Sequence, residues 1–295
     1  MPDHVLSLSY GKDSLACLGA IEKLGWPLDR IITAEVWATD TVPAELPPMV
    51  EFKARADAII RERWGIRVEH VRSKLTFERR FYQVRSERAK SNPGIIYGFP
   101  MRGGPWCNSD LKVGPLEKAK RGCISYIGIA ADEPNRFHVL QEKKKSPIVE
   151  AWWTEAMCRK WCEENGLLSP VYRDSARGGC WFCHNQRVQQ LRLLRKGYPE
   201  YWALLLKWDE DSPVSFKPEH TVHDFERRFR LEDEGLLFAD DRVFRWSMLD
   251  ECLNYRLFLR KEGIYEDDSS YEQQGRRGKD RHRREFDGTR FRWRW

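Results

Sequence analysis

Long apolar runs are missing from this sequence. No stretch approaches the roughly 18 consecutive apolar residues that a membrane-spanning helix needs. The opening residues Met1-Pro2-Asp3-His4 lack the basic segment that precedes the apolar core of a secretory signal peptide. Charged residues make up 33% of the chain and hydrophobic residues 41%, which suffices for a sizeable core. We therefore expect a soluble, cytoplasmic protein without a membrane partner.

A disulfide framework is not expected either. The chain has eight cysteines, and disulfides rarely persist in the reducing cytosol. Cys180 and Cys183 follow Gly178-Gly179 with the spacing of a metal-chelating pair, and the glycines permit the tight turn that such ligands need. A redox dithiol is the alternative for this pair. Cys158 and Cys162 lie four residues apart in a helical pattern, and we expect them in the core.

An excess of charge is absent from most of the chain. Residues 1–275 carry 42 basic and 42 acidic side chains, whereas residues 276–295 carry nine basic and three acidic ones. The arginines of this last segment alternate with aromatic residues. Such a pattern predicts neutralisation of phosphates and stacking on the bases of a nucleic acid. A solvated end without a partner is the alternative.

The spacing of apolar residues predicts alternating strands and helices over the first part of the chain. The predicted strands are residues 3–9, 30–37, 66–71 and 123–130, and the predicted helices are residues 14–24, 51–64, 111–120 and 154–165. This alternation implies an α/β fold, a parallel sheet with helices on both faces. After Cys183 every clear pattern is helical, so we predict an α/β domain over residues 1–185, an α-helical extension over 186–264 and a flexible basic tail over 265–295.

The first predicted strand ends in the sequence Ser9-Tyr10-Gly11-Lys12-Asp13-Ser14 and leads directly into a helix. The amides at a helix N-terminus are unsatisfied and favour an anion, so this loop predicts a phosphate site. Gly11 allows a close approach, Lys12 adds a positive charge, and the hydroxyls of Ser9 and Ser14 can bind phosphate oxygens. The spacing of a Walker A loop is absent. An ordinary strand–turn–helix junction capped by Ser14 is the alternative.

This loop resembles the Ser-Gly-Gly-x-Asp-Ser loop of the PP-loop (N-type) ATP pyrophosphatases, with Tyr10 in place of the first glycine. Later segments resemble one branch of that superfamily, the phosphoadenosine phosphosulfate (PAPS) reductase-like proteins. In chain order they are Asp40-Thr41, Cys107 to Leu116, Gly128-Ile129-Ala130, Asp132 to Arg136, and Gly179-Cys180-Trp181-Phe182-Cys183. The resemblance covers residues 4–185 and implies an adenine nucleotide alpha hydrolase-like fold.

The resemblance also implies a site for ATP or a related adenine nucleotide with Mg²⁺. By this resemblance Lys12 and Asp13 would lie beside the phosphates and the metal ion, and Asp40 near the α-phosphate, as the catalytic residues. Lys112 and Arg136 would add positive charge over the substrate; plain surface charges are the alternative for both. The predicted nucleotide-binding residues are Ser7, Ser9, Tyr10, Gly11, Lys12, Asp13, Ser14, Asp40, Lys112, Gly128 and Arg136.

A metal centre on Cys107, Cys180 and Cys183 follows from the same resemblance. Related reductases hold a [4Fe–4S] cluster on four cysteines, but Asn108 stands where one of the four is expected. Related tRNA-thiolating enzymes hold a cluster on three. Zinc is the alternative, with His184 or Cys123 as the fourth ligand, and a site without metal is another.

Two departures from the family bear on the reaction. The chain has no C-terminal segment like the Glu-Cys-Gly-Leu-His of sulfonucleotide reductases, and Ala130 stands where the branch has an arginine. We therefore expect an adenylating enzyme that supports sulfur transfer, with a nucleic acid as a possible acceptor and a protein as a possible sulfur donor. One alternative is a sulfonucleotide reductase that borrows its thiol from Cys252 or from a partner. Another is a non-catalytic, nucleotide-dependent nucleic-acid-binding protein.

Overall fold

Five parallel strands form the central sheet of the protein. The computed structural model describes residues 2–89, 92–100, 105–174 and 178–261. The strands are β1 (His4–Ser7), β2 (Arg30–Glu35), β3 (Val68–Arg72), β4 (Ile124–Tyr126) and β5 (Lys144–Lys145). Their order is β3-β2-β1-β4-β5, and each neighbouring pair is parallel. The predicted parallel α/β sheet is confirmed.

Helix α1 (Lys12–Leu24) connects β1 to β2, and α2 (Pro47–Trp64) connects β2 to β3. The apolar residues Leu15, Leu18 and Ile21 recur on one face of α1 and are buried. The helix ends at Gly25, whose φ of 64° is the left-handed conformation that glycine adopts without steric cost. Residues of α1 and α2 thus share one hydrophobic core with β1 and β2.

The two faces of the sheet are covered by different segments. Leu6 of β1 belongs to the core that includes α1, whereas the hydroxyl of Ser7 accepts a hydrogen bond from Lys120 at 3.2 Å. Lys120 directly follows α5 (Gly114–Ala119). Because successive residues of a strand point to opposite faces, α1 and the α5 segment lie on opposite sides of the sheet.

The order of the strands reverses at β1. The chain adds β2 and then β3 on one side of β1 and returns to place β4 and β5 on the other. In open parallel sheets, ligands bind outside the carboxyl ends of the strands at such a reversal, where two loops diverge and leave a crevice. Here those loops are residues 8–11, after β1, and residues 127–133, after β4.

Several elements differ from the predicted ones. The helix predicted over residues 111–120 is instead a succession of α4 (Trp106–Asn108), a π-helical turn (Ser109–Val113) and α5. Pro115 has no amide hydrogen, and the amide of Gly114 donates to the carbonyl of Ser109, five residues back. A Cβ on Gly114 would lie 2.8 Å from that carbonyl oxygen, so glycine is required for the wider turn.

Other differences concern short elements and helix ends. Helix α2 begins at Pro47 instead of residue 51, because proline is well suited to the first turn of a helix. Strand β5 and the 3-10 helix Pro134–Val139 are too short for a period to be read from the sequence. The remaining helices of the first part are α3 (Phe77–Phe81), α6 (Pro147–Glu150), α7 (Glu155–Glu164) and α8 (Val171–Asp174).

Contacts between residues divide the chain into two compact units, residues 1–190 and 191–295; the sequence predicts its boundary at residues 185/186. The helices around and after this division are α9 (Val188–Gly197), α10 (Pro199–Asp211), α11 (Val222–Asp233) and α12 (Ser247–Lys261). The basic tail predicted over residues 265–295 lies outside the described residues. Among the described helices, none has the length and apolar character needed to cross a membrane.

Candidate functional site

The loop between β1 and α1 has an unusual backbone at its second residue. Tyr10 has a φ of 56°, a left-handed conformation that is costly for a bulky side chain. Its ring is fully buried, and its hydroxyl donates to Asp57 of α2 at 2.5 Å. Burial and this hydrogen bond raise the pKa of Tyr10 far above its usual value. Its side chain is therefore part of the core, so only its backbone could reach a bound nucleotide.

The serine hydroxyls of the loop bond to the loop itself. Ser14 accepts hydrogen bonds from the amide of Ser9 at 3.1 Å and from its hydroxyl at 3.0 Å. The hydroxyl of Ser14 donates in turn to the carbonyl of Gly11 at 3.0 Å. Because Ser14 is buried, its hydroxyl fixes the curvature of the loop. The hydroxyl of Ser9 would have to leave Ser14 to donate to a phosphate.

Lys12 and Asp13 form the charged part of the site, together with Glu155 at the start of α7. The ammonium of Lys12 lies 2.8 Å and 3.0 Å from the carboxylate oxygens of Asp13 and 3.2 Å from Glu155. Burial lowers the pKa of Lys12, but the two carboxylates outweigh it and the net shift is upward. Burial also raises the pKa of Asp13, which Lys12 only partly opposes. These pKa shifts show that the two side chains are partly desolvated.

Glu133 completes a group of three carboxylates. The ligand oxygens of Asp13, Glu133 and Glu155 all lie within 4.8 Å of one another. Glu133 accepts from the amide of Ala130 at 3.1 Å and from Arg136 at 2.9 Å. Oxygen donors at this spacing suit a hard divalent cation such as Mg²⁺. The predicted residue Arg136 therefore neutralises a carboxylate of this group.

Gly128, in the loop after β4, lies directly against the first turn of α1. A Cβ at this position would lie 2.6 Å from the backbone of Asp13 and from the amide nitrogen of Ser14. Only a residue without a side chain permits this approach. The structure thus brings the predicted residue Gly128 together with the loop at the reversal of the sheet.

Sequence reasoning missed Tyr172 of α8. Its hydroxyl accepts the amide hydrogen of Lys12 at 2.9 Å and lies 3.3 Å from the position of a Cβ on Gly11. Burial raises the pKa of this phenol, so it stays protonated. This hydrogen bond therefore uses the amide of Lys12, one of the backbone amides that the sequence predicts for binding a phosphate. No periodicity or motif distinguishes Tyr172 in the sequence.

Ser7 is placed differently from the other predicted residues. Its hydroxyl lies 3.2 Å from that of Ser125 in β4, and Lys120 donates to both. Lys120 is buried and also pairs with Glu117 at 3.1 Å. Ser7 therefore contributes to a polar contact across one face of the sheet. Sequence reasoning missed Lys120 because it follows an ordinary charged helix.

Asp40 lies in a turn after β2 and is more than half exposed. It accepts a hydrogen bond from Arg79 at 2.6 Å. Within the described residues it forms no hydrogen bond or ion pair with the loop Ser9–Ser14. No feature of the sequence predicts that Asp40 pairs with Arg79.

Three aromatic rings bring the predicted metal-binding cysteines together. Phe77 of α3 stacks on Trp106 at 5.0 Å between ring centroids and contacts Phe182 at 4.2 Å. Trp106 precedes Cys107, and Phe182 lies between Cys180 and Cys183. Trp181 is fixed to the loop between β2 and α2, since its amide donates to Ala44 at 2.9 Å and its indole to Pro43 at 3.0 Å. The Cys180–Cys183 turn is thereby anchored next to Cys107.

The thiols of Cys107 and Cys180 are shielded from solvent, and the charges of Cys183 and Lys112 affect their pKa values. Burial raises the pKa of Cys107 to about 11 and that of Cys180 to about 12. Cys183 adds to both shifts, while the positive charge of Lys112 opposes both. Lys112 is thus near the cysteines, whereas the sequence assigned it to the nucleotide.

The three cysteine sulfurs are less closely grouped than the carboxylates of the phosphate loop region. Among the described residues, the carboxylate group above is the only set of three ligand atoms that lie within 4.8 Å of one another. The sulfurs of Cys107, Cys180 and Cys183 are therefore not all within that distance of one another. Cys123 precedes β4 at the amino edge of the sheet, away from the anchored Cys180–Cys183 turn.

The remaining cysteines are structural. Cys158 and Cys162 are fully buried, as predicted, and they pack with Cys17 between α7 and α1. The thiol of Cys162 donates to the carbonyl of Lys12 at 3.2 Å, and this contact links α7 to the start of α1. Cys252, the thiol of the predicted reductase alternative, donates to the carbonyl of Leu236 at 3.3 Å within the second unit, and burial raises its pKa.

Comparison of the sequence with models of known protein families gives no match, and comparison with curated proteins gives no match either.

Proposed function

We propose that this protein binds ATP or a related adenine nucleotide with its phosphates at the loop Ser9–Ser14 and activates an acceptor by adenylation. The observation that carries the proposal is the contact of Gly128 with the first turn of α1, where the strand order reverses. The loop after β1 and the loop after β4 both lie there, beside the positive end of α1. This is the arrangement that favours a bound phosphate.

The charged residues support the same function. Lys12 is held at the start of α1 by Asp13 and Glu155 and would neutralise a phosphate oxygen. Asp13, Glu133 and Glu155 would hold Mg²⁺, which supplies charge neutralisation of the phosphates when bound. A triphosphate and a divalent cation would then replace the internal pairing of Lys12 with the two carboxylates.

The proposed reaction has two steps. An oxygen of the acceptor attacks the α-phosphorus of ATP, the bond to the β-phosphate bridging oxygen breaks, and pyrophosphate leaves. A sulfur nucleophile then attacks the carbon that bears the adenylated oxygen, and AMP leaves with that oxygen. The protein positions the reactants and stabilises the charge on the phosphates through the loop amides and Lys12.

Cys107, Cys180 and Cys183 would hold a [4Fe–4S] cluster, with zinc as the alternative. A cluster on three thiolates keeps one iron available for a sulfur ligand, which fits sulfur transfer. The chain would position the thiolates, because Phe77 packs against Trp106 and Phe182, which are adjacent in sequence to Cys107 and Cys183.

The test is pyrophosphate release from ATP by Lys12→Ala, with Lys23→Ala as the matched control. Both lysines belong to α1, but Lys23 lies in its last turn. We expect about a hundredfold loss for Lys12→Ala and no change for Lys23→Ala, because a charge that stabilises the transition state is worth about 3 kcal/mol. Absence of ATP binding and of pyrophosphate release in the wild-type protein would refute the proposal.

The metal centre is tested separately by anaerobic purification, a visible absorption spectrum, and iron and zinc analysis. We expect a brown protein whose colour is lost in Cys180→Ala and kept in Cys123→Ala. A colourless protein with stoichiometric zinc would reject the cluster and leave the nucleotide site unaffected.

A further inference from the structure

A dense group of basic residues lies on the first unit, in the segment that follows β3. Residues 72–89 contain six basic and two acidic side chains, whereas residues 1–275 as a whole are balanced. We use the name arginine–aromatic surface for the basic residues of this segment and the rings that support them. It consists of Arg72, Lys74, Arg79, Arg80, Arg85 and Arg88 with Trp37 and Tyr97.

Most of the guanidinium groups of this surface are held by rings and carboxylates. Arg72 lies over the ring of Trp37 at 4.3 Å from its centroid. Arg80 and Arg85 lie over Tyr97 at 3.9 Å and 4.6 Å. Arg80 also pairs with Asp110 at 2.8 Å, as Arg79 does with Asp40. A guanidinium fixed in this way loses little side-chain entropy when it binds a phosphate.

The backbone makes the surface continuous. The amides of Phe77 and Glu78 donate to the carbonyls of Trp37 and Ala38 at 2.8 Å and 2.9 Å, so α3 begins beside the turn that carries Trp37. The amide of Arg85 donates to Ile95 at 2.9 Å, which brings the segment with Tyr97 alongside. The surface thus extends from Arg72 to the hairpin-like contact around residue 95.

The surface begins at the same edge of the sheet as the phosphate loop. Arg72 is the last residue of β3, and Trp37 follows β2, which ends at Glu35. Both strands run parallel to β1, so their carboxyl ends lie at the edge where the loop Ser9–Ser14 begins. A polyanion on this surface would therefore reach the loop along one edge of the sheet.

We propose that the arginine–aromatic surface binds a single-stranded nucleic acid, and that this strand is the acceptor class. The second half of this statement rests on the proposed function, whereas the binding does not. Arginines separated along an edge match the repeating phosphates of a strand. The exposed guanidinium plane of Arg72, backed by the ring of Trp37, offers a stacking face to an exposed base, which an acidic peptide would not use.

The experiment measures binding of a labelled single strand of roughly 16 nucleotides to the full chain by fluorescence anisotropy at several salt concentrations. The variant is the double substitution Arg72→Gln and Lys74→Gln, and both side chains are exposed. The matched control is Arg159→Gln with Lys160→Gln on α7, which removes the same charge from an exposed helix face. The tail at 276–295 is retained in every protein, so its contribution is constant.

For the variant with Arg72→Gln and Lys74→Gln we expect about tenfold weaker binding at low salt. The slope of log K against the logarithm of the salt concentration should be smaller in magnitude by about 1.4, because each of the two lost phosphate contacts contributes about 0.7. The control should keep both values. Equal weakening in the two variants, or no weakening in either, would overturn the proposal. Tighter binding of polyglutamate than of the strand, lost in the first variant alone, would assign the surface to an acidic protein instead.

The same proteins are tested for ATP binding by calorimetry. If the wild-type protein fails to bind ATP while the strand result holds, the proposed function fails and the surface remains. If ATP binds and the strand does not, the nucleotide site remains and the acceptor is of another class.

Discussion

Two groups of paired charges in this protein differ in how completely their charges are balanced. In the second unit, Arg192 and Arg228 share Glu232 and Asp241, two charges of each sign, at distances of 2.5 to 2.8 Å. At the sheet edge, three carboxylates pair with two cations of the described part of the chain, Lys12 and Arg136. The charges of the first group cancel one another, whereas the second group has a surplus negative charge that a bound cation would neutralise. Ion pairing alone therefore does not identify a binding site.

We expect the balanced group of the second unit to contribute more to the free energy of unfolding than the group at the sheet edge. Glu232→Gln removes the carboxylate that holds both Arg192 and Arg228, and Arg228 is 2% exposed. We expect a loss of about 3 kcal/mol in the free energy of unfolding, since two buried arginines are left with a single carboxylate, that of Asp241, between them. The measurement is chemical denaturation. Glu163→Gln, which breaks an exposed pair with Arg159, is the control and should cost less than about 0.5 kcal/mol; equal losses would contradict the comparison.

The unbalanced group depends instead on close backbone contact. Gly128→Ala places a Cβ 2.6 Å from the first turn of α1, so the loop must shift. We expect about 1–3 kcal/mol of destabilisation together with weaker ATP binding. Gly197→Ala, where no atom lies within 4 Å, should be neutral or slightly stabilising in α9. Denaturation and calorimetry give both values, and an unchanged ATP affinity in Gly128→Ala would separate this contact from the site.

Removal of one hydroxyl should strengthen the site. Tyr172→Phe frees the amide of Lys12, which now donates to the phenol at 2.9 Å. A phosphate no longer has to displace that hydrogen bond, and we expect ATP to bind about fivefold more tightly, equivalent to about 1 kcal/mol. Tyr201→Phe on α10 is the control. Weaker binding in Tyr172→Phe would mean that the hydroxyl contacts the nucleotide directly.

The smallest effect concerns pH. Asp209 accepts from His223 at 2.7 Å; burial lowers the pKa of His223, but the carboxylates of Asp209 and Glu210 outweigh this and raise it. A raised pKa contributes stability that is complete below the unfolded value of about 6.5 and is lost as the pH rises through the folded value. Because His223 is more than a third exposed, we expect less than about 1 kcal/mol between about pH 6 and pH 8. His223→Gln should remove this dependence in denaturation curves, and a persistent slope would assign it to other groups.

The alternation of β1, β2 and β3 with α1 and α2 was predictable because α1 and α2 are long enough to show a helical period and the strands between them are apolar. The apolar spacing of α1 and the stop at Gly25 could be read directly, as could the buried cysteines of α7. The π-helical turn could not, since it depends on the combination of Gly114 with Pro115 and on space beside Ser109. Strand β5, with two residues, carries no period at all.

The site was predictable only where it is continuous in sequence. The loop Ser9–Ser14 follows from strand, turn and helix signals, but its partners Glu155 and Tyr172 come from distant segments with no motif of their own. Nothing in the sequence indicates that the charge of Lys112 acts on Cys107 and Cys180; its contact with a nucleotide stays a prediction. The assignment of nucleotide, metal and acceptor stays a prediction until the experiments above are done.

The left-handed backbone of Tyr10 has a consequence for the design of variants. The ring is anchored by Asp57, 47 residues away on α2, and the cationic group of Lys53 lies 4.9 Å from the ring centroid. The backbone of the loop at Tyr10 is therefore fixed in part by side chains of α2. Substitutions of Asp57 or Lys53 offer a way to alter the conformation of the loop, and with it the proposed phosphate site, without changing any residue of the loop itself.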